Sequence, residues 1–394
     1  MYRRPHYDLV MKRIKEPRRF IQVLSGPRQV GKSTLICQIL EELSIPSTLE
    51  IADNMPSANT NWISEIWESA RNKMMFRGES EHLLVIDEIQ KLSNWSEAVK
   101  KEWDRDSREG RNLKVVLLGS SRLLLMKGLT DSLAGRFELI RMGHWDYAEM
   151  RDAFGLSPDQ YVYYGGYPGS VGMISDDARW TAYIRDSLVN SAITKDVLMT
   201  STVYKPALLR QLFEVGCSYS GELLSLNKML GQLQDAGNVT TLAGYLKLLD
   251  ECNLLKGLKK YTADLSRKYS SIPKYQVYNN ALRSIYSGSS YESVRTNPRL
   301  WGRWVESAVG AYLINHADAE GYNVYYWRDK SDEVDFVVER QGNIAAIEVK
   351  SGIDSYGKGL SVFSKLFRPK RLLIVGAQGI PWEEFLQIRP AQLF

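Results

Sequence analysis

The segment from Gly26 to Thr34 has the residue types and spacing of a phosphate-binding loop. Its sequence, GPRQVGKST, places Gly26, Gly31, Lys32 and Ser33 in the order G-x-x-x-x-G-K-[ST]. Glycines let backbone N–H groups surround phosphate oxygens, the lysine can reach the β and γ phosphates, and the serine hydroxyl can ligate Mg²⁺. We therefore expect the whole loop to bind ATP: Gly26, Pro27, Arg28, Gln29, Val30, Gly31, Lys32, Ser33 and Thr34.

Two acidic residues, Asp87 and Glu88, could turn nucleotide binding into hydrolysis. They follow the apolar run LLVI, which indicates a buried strand, and the carboxyl ends of parallel strands face the ligand crevice. Asp87 would hold the hydrated Mg²⁺, and Glu88 would polarise the attacking water. The sequence therefore predicts an ATPase with ATP and Mg²⁺ as its cofactors.

Two further side chains could assist phosphoryl transfer. The apolar run LKVVLLG ends at Ser120 and Ser121, where a hydroxyl could contact the γ phosphate or the water, and the loop SLAGRFE contains Arg136. An arginine can stabilise the developing charge in its own chain or in a neighbour, which would require a homo-oligomer. The alternative for Arg136 is a surface or salt-bridging arginine. The candidate catalytic residues here are Lys32, Asp87, Glu88, Ser120 and Arg136.

Strands and helices alternate around these residues. The runs FIQVLS, EHLLVID and LKVVLLGS indicate buried strands, and the helical segment TLICQILEEL follows the glycine-rich loop. This alternation predicts an α/β domain with a parallel sheet and helices on both faces. We place this domain at residues 1–145, a helical middle part at 146–265 and a second α/β part at 266–394.

The composition narrows the class of protein. The chain has 394 residues and a formal net charge of +5, which permits a nucleic-acid partner without requiring one. Its three cysteines form no CxxC pair, which argues against a disulfide framework or a zinc ribbon. No apolar run resembles a signal peptide or a membrane span. We expect a soluble cytoplasmic protein with no membrane partner.

The first 19 residues are rich in cations. An apolar helical face runs through them, so they could form a helix that packs on the next domain, or an arm that contacts phosphates. The cations are Arg3, Arg4, Lys12, Arg13, Lys15, Arg18 and Arg19.

Several motifs occur in a fixed order along the chain. They are GPRQVGKST, LLVIDEIQKL, GSS, SLAGR and GGYP, followed by YYWRDK, EVDFV and EVKSG. This set resembles a family of bacterial and archaeal AAA-type ATPases with a fused C-terminal domain similar to PD-(D/E)xK nucleases, and the resemblance covers nearly the whole chain. It implies an AAA-like P-loop ATPase core, a winged-helix middle and a restriction-nuclease-like α/β end.

The middle part contains two candidate short helices within residues 222–256. The first would bury a leucine-rich face, the polar turn QDAGN would follow, and the second would begin at an N-cap, Thr240 or Thr241. The run LLKGLKKY could then start a wing. The exposed face of the second helix is poorly suited to groove reading, so DNA contact and a purely packing role both stay open.

The C-terminal run EVDFVVERQGNIAAIEVK predicts a hairpin that turns at QGN. Asp335 lies on its first arm, and Glu348 and Lys350 share one face of the second because side chains alternate with a period of two. Two carboxylates could hold Mg²⁺ or Mn²⁺ at a scissile phosphate, and Lys350 could position the water. Glu306, on the predicted helix RWVESAVGAYL, matches the additional acidic residue of the nuclease family.

Together these features predict an ATPase that couples its nucleotide state to DNA binding or metal-dependent DNA cleavage, with branched DNA among the possible substrates. The alternative is a signalling or interaction ATPase whose nuclease-like domain is an inactive docking module. The candidate metal ligands are Ser33, Asp87, Glu306, Asp335 and Glu348. Cations that could follow a phosphate backbone are Lys358, Lys365, Arg368, Lys370 and Arg371.

Overall fold

A computed structural model describes residues 2–57, 59, 61–120, 122–198, 203–233, 237–264, 271–350 and 358–394. The chain divides into two compact units, Met1–Gly143 and His144–Phe394, which are described separately. The finer division at residues 145 and 265 stays a prediction. Among the described residues, no helix has both the length and the apolar character needed to cross a bilayer.

The first unit alternates strands and helices, as the sequence predicts. Its strands are β1 (Ile21–Ser25), β2 (Ser47–Ile51), β3 (His82–Asp87), β4 (Leu113–Gly119) and β5 (Phe137–Arg141). Its helices are α1 (His6–Lys15), α2 (Lys32–Glu42), α3 (Asn61–Arg77), α4 (Trp95–Arg108) and α5 (Arg122–Ser132), with short 3-10 turns at Ala52–Asn54 and Ile89–Lys91.

The five strands form one parallel sheet in the order β2-β3-β4-β1-β5. Every residue of β1, β3 and β4 is buried, which explains why these strands are continuous apolar runs rather than alternating ones. One face of the sheet joins a core with α3, α4 and α5, in which Trp67 is fully buried. Helix α1 packs on α2 and β1. The predicted parallel α/β domain is confirmed.

The second unit begins with helices and ends with a mixed sheet. Its helices are α6 (Tyr147–Phe154), α7 (Pro158–Tyr164), α8 (Asp177–Ala182), α9 (Pro206–Ser218), α10 (Leu226–Leu230), α11 (Val239–Glu251), α12 (Asn280–Tyr286), α13 (Tyr291–Thr296), α14 (Pro298–Glu320), α15 (Lys358–Phe367) and α16 (Trp382–Phe385). Two π-helical segments, Tyr183–Val189 and Ala192–Leu198, follow α8, and 3-10 turns lie at Pro168–Met173 and Pro390–Leu393. Its strands are β6 (Leu255–Leu258), β7 (Lys274–Val277), β8 (Asn323–Asp329), β9 (Asp332–Arg340), β10 (Asn343–Lys350) and β11 (Arg371–Gly376).

The last four strands form a sheet in the order β11-β10-β9-β8. Strands β8, β9 and β10 are antiparallel neighbours, and β11 runs parallel to β10. The turn between β9 and β10 has Gln341 at φ 51° and Gly342 at φ 79°, the left-handed pair that a two-residue hairpin turn requires. The predicted hairpin is therefore confirmed, and the chain order from α14 onward is helix, three strands, helix, strand.

The middle part differs from its predicted helix pair. Helix α10 spans only Leu226–Leu230, because Leu223 forms a β-bridge instead of joining the helix. Helix α11 starts after Asn238, whose side chain accepts the N–H of Thr241, so the predicted N-cap at Thr240 or Thr241 is wrong. Residues 234–236 of the predicted turn lie outside the described residues. Strand β6 pairs antiparallel with β7.

Candidate nucleotide site and C-terminal acidic cluster

The glycine-rich loop between β1 and α2 curls around the ammonium group of Lys32. The Lys32 Nζ donates to the carbonyl oxygens of Gly26 and Pro27, each at 2.9 Å. Gly31 adopts φ 86° immediately before α2, a conformation that favours glycine. A Cβ on Gly26 would lie 2.2 Å from the carbonyl oxygen of Met142, so this position also needs glycine.

A hydroxyl and a carboxylate meet beside this loop. The Ser33 Oγ donates to Asp87 Oδ2 at 2.6 Å, and Asp87 Oδ1 accepts the N–H of Glu88 at 2.8 Å. Among the described residues, no lysine or arginine forms an ion pair with Asp87. Both groups are hard oxygen donors of the type that Mg²⁺ prefers, so these two side chains fit the ion that accompanies a nucleoside triphosphate.

The side chain of Glu88 is held by two neighbours. Glu88 Oε2 accepts the Ser120 Oγ at 2.9 Å and also the Nε2 of Gln90. The backbone of Glu88 has φ 55°, an uncommon conformation for this residue type and one that is often found at functional sites. Strands β3 and β4 are neighbours, which brings Ser120 to Glu88. Ser121 lies outside the described residues, and nothing in the sequence pattern singled out Gln90.

Arg136 lies at the end of the sheet opposite to the phosphate-binding loop. It directly precedes β5, and its carbonyl accepts the N–H of Ile21 at the start of β1. The loop at Gly26 follows the opposite end of β1, roughly 15 Å along the strand. Arg136 instead forms a two-point ion pair with Asp104, with N–O distances of 2.8 and 3.1 Å. The structure therefore does not bring Arg136 to the nucleotide site of its own chain, which corrects that prediction. A role of Arg136 in the site of a neighbouring chain stays a prediction.

Arg4 contributes to the loop in a way that the sequence did not reveal. Its side chain is buried, and its Nη1 donates to the carbonyl oxygens of Val30 at 2.9 Å and Gly143 at 3.2 Å. Arg3 pairs with Glu42 on α2. Arg4 is thus part of the packing against the loop, whereas Arg3 is exposed and pairs with a carboxylate of the protein.

In the second unit, the hairpin brings Asp335, Glu348 and Lys350 together as predicted. Continuing the register from Ile347 opposite Phe336 places Glu348 opposite Asp335. The Lys350 Nζ lies 3.0 Å from Glu348 Oε1. The N–H of Val349 donates to Asp335 Oδ2 at 2.8 Å.

The carboxylate of Glu348 is only partly satisfied. Its Oε2 is buried and has no hydrogen-bond partner. Burial raises the pKa of Glu348, although Lys350 acts in the opposite direction. An orphaned buried carboxylate oxygen beside Asp335 fits a bound divalent cation, so these two side chains could share one.

Glu306 has a different partner, Lys274, which the sequence did not single out. The Lys274 Nζ lies 2.6 Å from Glu306 Oε1 and 3.7 Å from Asp335 Oδ1, and it donates to the Asp335 carbonyl at 3.1 Å. Burial lowers the pKa of Lys274, but the carboxylates of Glu306 and Asp335 outweigh burial and raise the pKa above its ordinary value.

This contact bears on the predicted metal set, in which Glu306 is one of the ligands. In the part of the chain that the structure describes, no group of three or more His, Cys, Asp or Glu side chains is placed to hold a metal ion. Glu306 is the partner of a lysine rather than a third free carboxylate. A metal role for Asp335 and Glu348 stays a prediction.

The predicted phosphate-tracking cations are not gathered at this cluster. In the pairing of β10 with β11, Arg371 lies opposite Ala345, whereas Lys350 lies opposite Gly376. The two ends are roughly 17 Å apart. Lys358 pairs with Asp332 at the start of β9. The exposed cations at the far end are Lys365, Arg368, Lys370 and Arg371.

Comparison with protein families agrees with the first site. Residues 18–151 match the family described as an AAA domain. Residues 156–293 and 301–391 match two domains of unknown function, DUF8612 and DUF4143. The AAA match supports an AAA-type ATPase that binds and hydrolyses ATP, with the Mg²⁺ that such domains typically use.

Relatives extend over most of the chain. An uncharacterized protein of Mycobacterium tuberculosis is 26% identical over 84% of this chain and 70% of its own length. One from Haemophilus influenzae is 24% identical over 84% of this chain and 82% of its own length. A third, from Methanocaldococcus jannaschii, is 21% identical over 81% of this chain and 72% of its own length. The similarity therefore includes both units.

Proposed function

We propose that the first unit hydrolyses ATP at the loop from Gly26 to Thr34. The observation that carries this proposal is the meeting of the Ser33 hydroxyl with the Asp87 carboxylate at 2.6 Å, directly beside Lys32 and Glu88. Lys32 and Ser33 begin α2 after the loop that follows β1, and Asp87 and Glu88 lie at the end of β3, which is where parallel sheets bind ligands. They are the groups that phosphoryl transfer to water requires.

Each side chain has a distinct part in this reaction. Lys32 exchanges the loop carbonyls for phosphate oxygens, and the loop N–H groups bind the remaining oxygens. Ser33 and Asp87 would hold Mg²⁺, which would supply positive charge opposite the phosphates. Glu88 accepts a hydrogen bond from the attacking water, while Ser120 and Gln90 fix the direction of its carboxylate.

Glu88→Gln tests this assignment because it keeps the size of the side chain and removes the base. Affinity for ATP should stay within about twofold of the wild-type value, and steady-state turnover should fall about 100-fold or more. Glu41→Gln on the exposed side of α2 is the matched control and should leave both quantities unchanged. Wild-type turnover in Glu88→Gln would show that another residue orients the water.

A second candidate function, in the other unit, is DNA binding with metal-dependent cleavage. It is supported by the gathering of Asp335, Glu348 and Lys350 at one end of the sheet and by the helix–three strands–helix–strand order. Asp335 and Glu348 are the residues that would hold a divalent cation, which would supply an activated water. Lys350 would position that water and stabilise charge on the phosphate.

Salt-dependent binding of the full chain to linear and branched DNA tests this second function. Phosphate contacts weaken steeply with added salt, so affinity should fall by about tenfold or more between 50 and 200 mM salt. Asp335→Ala should stop any cleavage in Mg²⁺ or Mn²⁺ and leave binding intact. Absence of salt-sensitive binding with either metal would favour the docking module in place of the nuclease.

Coupling between the two functions is testable with the Glu88→Gln protein, which is expected to hold ATP without turning it over. We propose that the nucleotide state changes DNA affinity. Affinity should therefore differ between the ATP-bound and ADP-bound forms of this variant. Equal affinities would leave two independent activities in one chain.

A further inference from the structure

The ammonium group of Lys274 lies where a cation is needed, between two acidic residues of the C-terminal cluster. It is 2.6 Å from the Glu306 carboxylate and 3.7 Å from that of Asp335. Lys274 is 5% exposed, and the side chain of Glu306 is 21% exposed. The ammonium group is therefore largely shielded from water, and an ion pair in such surroundings is strong only if its geometry is good.

The backbone fixes Lys274 in this position. It is the first residue of β7, paired with Leu258 of β6, and it also forms a β-bridge with Leu223. Its ammonium further lies 4.7 Å from the ring centre of Phe336, which adds a cation–π contact. Neighbours on three sides thus hold the charge in place.

A second buried cation adds to the positive charge around Glu306. Arg283 is 2% exposed, and it belongs to the positive charges that act on Glu306. Its guanidinium also donates to the carbonyl oxygens of Ser220 and Arg303. Glu306 therefore has two cations of the protein as neighbours, whereas Glu348 has Lys350 at its Oε1 and no partner at its Oε2.

We propose that Lys274 is a built-in cation that takes the place of a metal ion between Glu306 and Asp335. A divalent ion at that position would lie within about 4 Å of the ammonium group and would be repelled by it. The cluster then accepts at most one divalent ion, on Asp335 and Glu348, and binds it weakly. Glu306 serves Lys274 and is not a metal ligand.

This inference rests on the proposed metal site at Asp335 and Glu348, but its test measures metal binding and not cleavage. Mn²⁺ is titrated into the nucleotide-free full chain and free Mn²⁺ is measured. Lys274→Met keeps the length of the side chain and removes its charge, so Mn²⁺ should bind about tenfold more tightly or better. Adding Asp335→Asn to this variant should abolish the gain, which assigns it to the cluster rather than to the P-loop.

Two further variants keep the test sharp. Lys370→Met removes an exposed lysine at the far end of the sheet and should leave Mn²⁺ affinity unchanged. If Lys274→Met does not fold, Lys274→Met with Glu306→Gln removes the cation without leaving a buried unpaired charge. That double variant should still bind Mn²⁺ more tightly than the wild type because the ammonium group nearest to the metal ligands is gone, and by a smaller factor because the negative charge of Glu306 is also lost.

The outcomes separate this inference from the proposed cleavage. Tighter Mn²⁺ binding without DNA cleavage would support the role of Lys274 and contradict the nuclease. Unchanged or weaker Mn²⁺ binding in the folded variant would overturn the role of Lys274. If wild-type Mn²⁺ binding then also depended on Asp335, the metal site of the proposed nuclease would stand without it.

Discussion

Two sites in this chain combine a lysine with carboxylates, and they use the lysine in opposite ways. At the nucleotide loop, the Lys32 Nζ donates to the carbonyls of Gly26 and Pro27, and Asp87 is left with a hydroxyl and an N–H as its partners. In the C-terminal cluster, the Lys274 Nζ lies directly against Glu306. Lys32 can exchange the loop carbonyls for the phosphate oxygens of a ligand, whereas Lys274 is already paired with a carboxylate of the protein.

The two sites therefore differ in where their counter-charges come from. The nucleotide loop takes them from its ligands, whereas the C-terminal cluster contains a lysine of the protein. The first site needs phosphates for its lysine and a divalent cation for its carboxylate, so it is complete only with Mg²⁺ and ATP. The second site has its cation in the fold, which contributes to holding β7, β9 and α14 together. Motif residues alone do not show whether a lysine binds a ligand or a carboxylate of the protein, because that depends on the partners of each lysine in the fold.

The largest expected effect is on stability, and it contrasts the two lysines. Lys274→Ala leaves the partly buried carboxylate of Glu306 without its partner, which should cost about 3 kcal/mol in free energy of unfolding, the lower end of the range for a buried pair. Lys32→Ala removes bonds to two loop carbonyls that water can replace, so the cost should be below about 1 kcal/mol. Urea unfolding combined with amide hydrogen exchange in each unit measures both quantities.

Glu306→Gln with Lys274→Met is the control for that contrast, because removing both charges should recover part of the lost stability. Equal costs for Lys274→Ala and Lys32→Ala would break the distinction between the two sites. So would a wild-type stability for Lys274→Ala.

The next effect is on nucleotide affinity. Lys32→Ala should weaken ATP binding by about 100-fold or more, because charge-assisted bonds to phosphate are lost. Lys101→Ala, an exposed lysine on α4, should not change it. Isothermal titration calorimetry with ATP measures the affinity, and a wild-type value for Lys32→Ala would contradict the assignment of the loop.

The smallest effect is expected for Arg136. Because this residue pairs with Asp104 at the far edge of the sheet, Arg136→Ala should change turnover by less than about twofold in dilute protein. Turnover per chain is then measured across a range of protein concentrations. A rise with concentration that Arg136→Ala removes would establish a role in trans and a homo-oligomeric site.

The first unit was largely predictable because its signals are local. Buried parallel strands such as β3 and β4 are continuous apolar runs, and the loop motif fixes residue types by spacing. The hairpin of β9 and β10 was visible for the same reason, since alternation and a Gln-Gly turn lie within one short segment. In each case the residues that interact are also close in sequence.

Other features depend on contacts between distant segments, which one sequence does not display. Lys274 meets Glu306 across 32 residues, and Arg4 meets Val30 across 26. Arg136 lies far from the nucleotide loop because it precedes β5, whereas the residues of the nucleotide site follow the carboxyl ends of β1, β3 and β4. Gln90 lies two residues after Glu88 and donates to its carboxylate, but Glu88 has a left-handed backbone that the sequence pattern does not predict.

The pair of Ser33 and Asp87 should make ATP hydrolysis depend on a divalent cation. The most direct measurement is phosphate release by the full chain with ATP, in Mg²⁺ and in EDTA, for the wild type and for Asp87→Asn. We predict hydrolysis by the wild type in Mg²⁺, no hydrolysis in EDTA, and at least about 100-fold slower release by Asp87→Asn in Mg²⁺. Undiminished release in EDTA, or wild-type release by Asp87→Asn, would contradict this expectation.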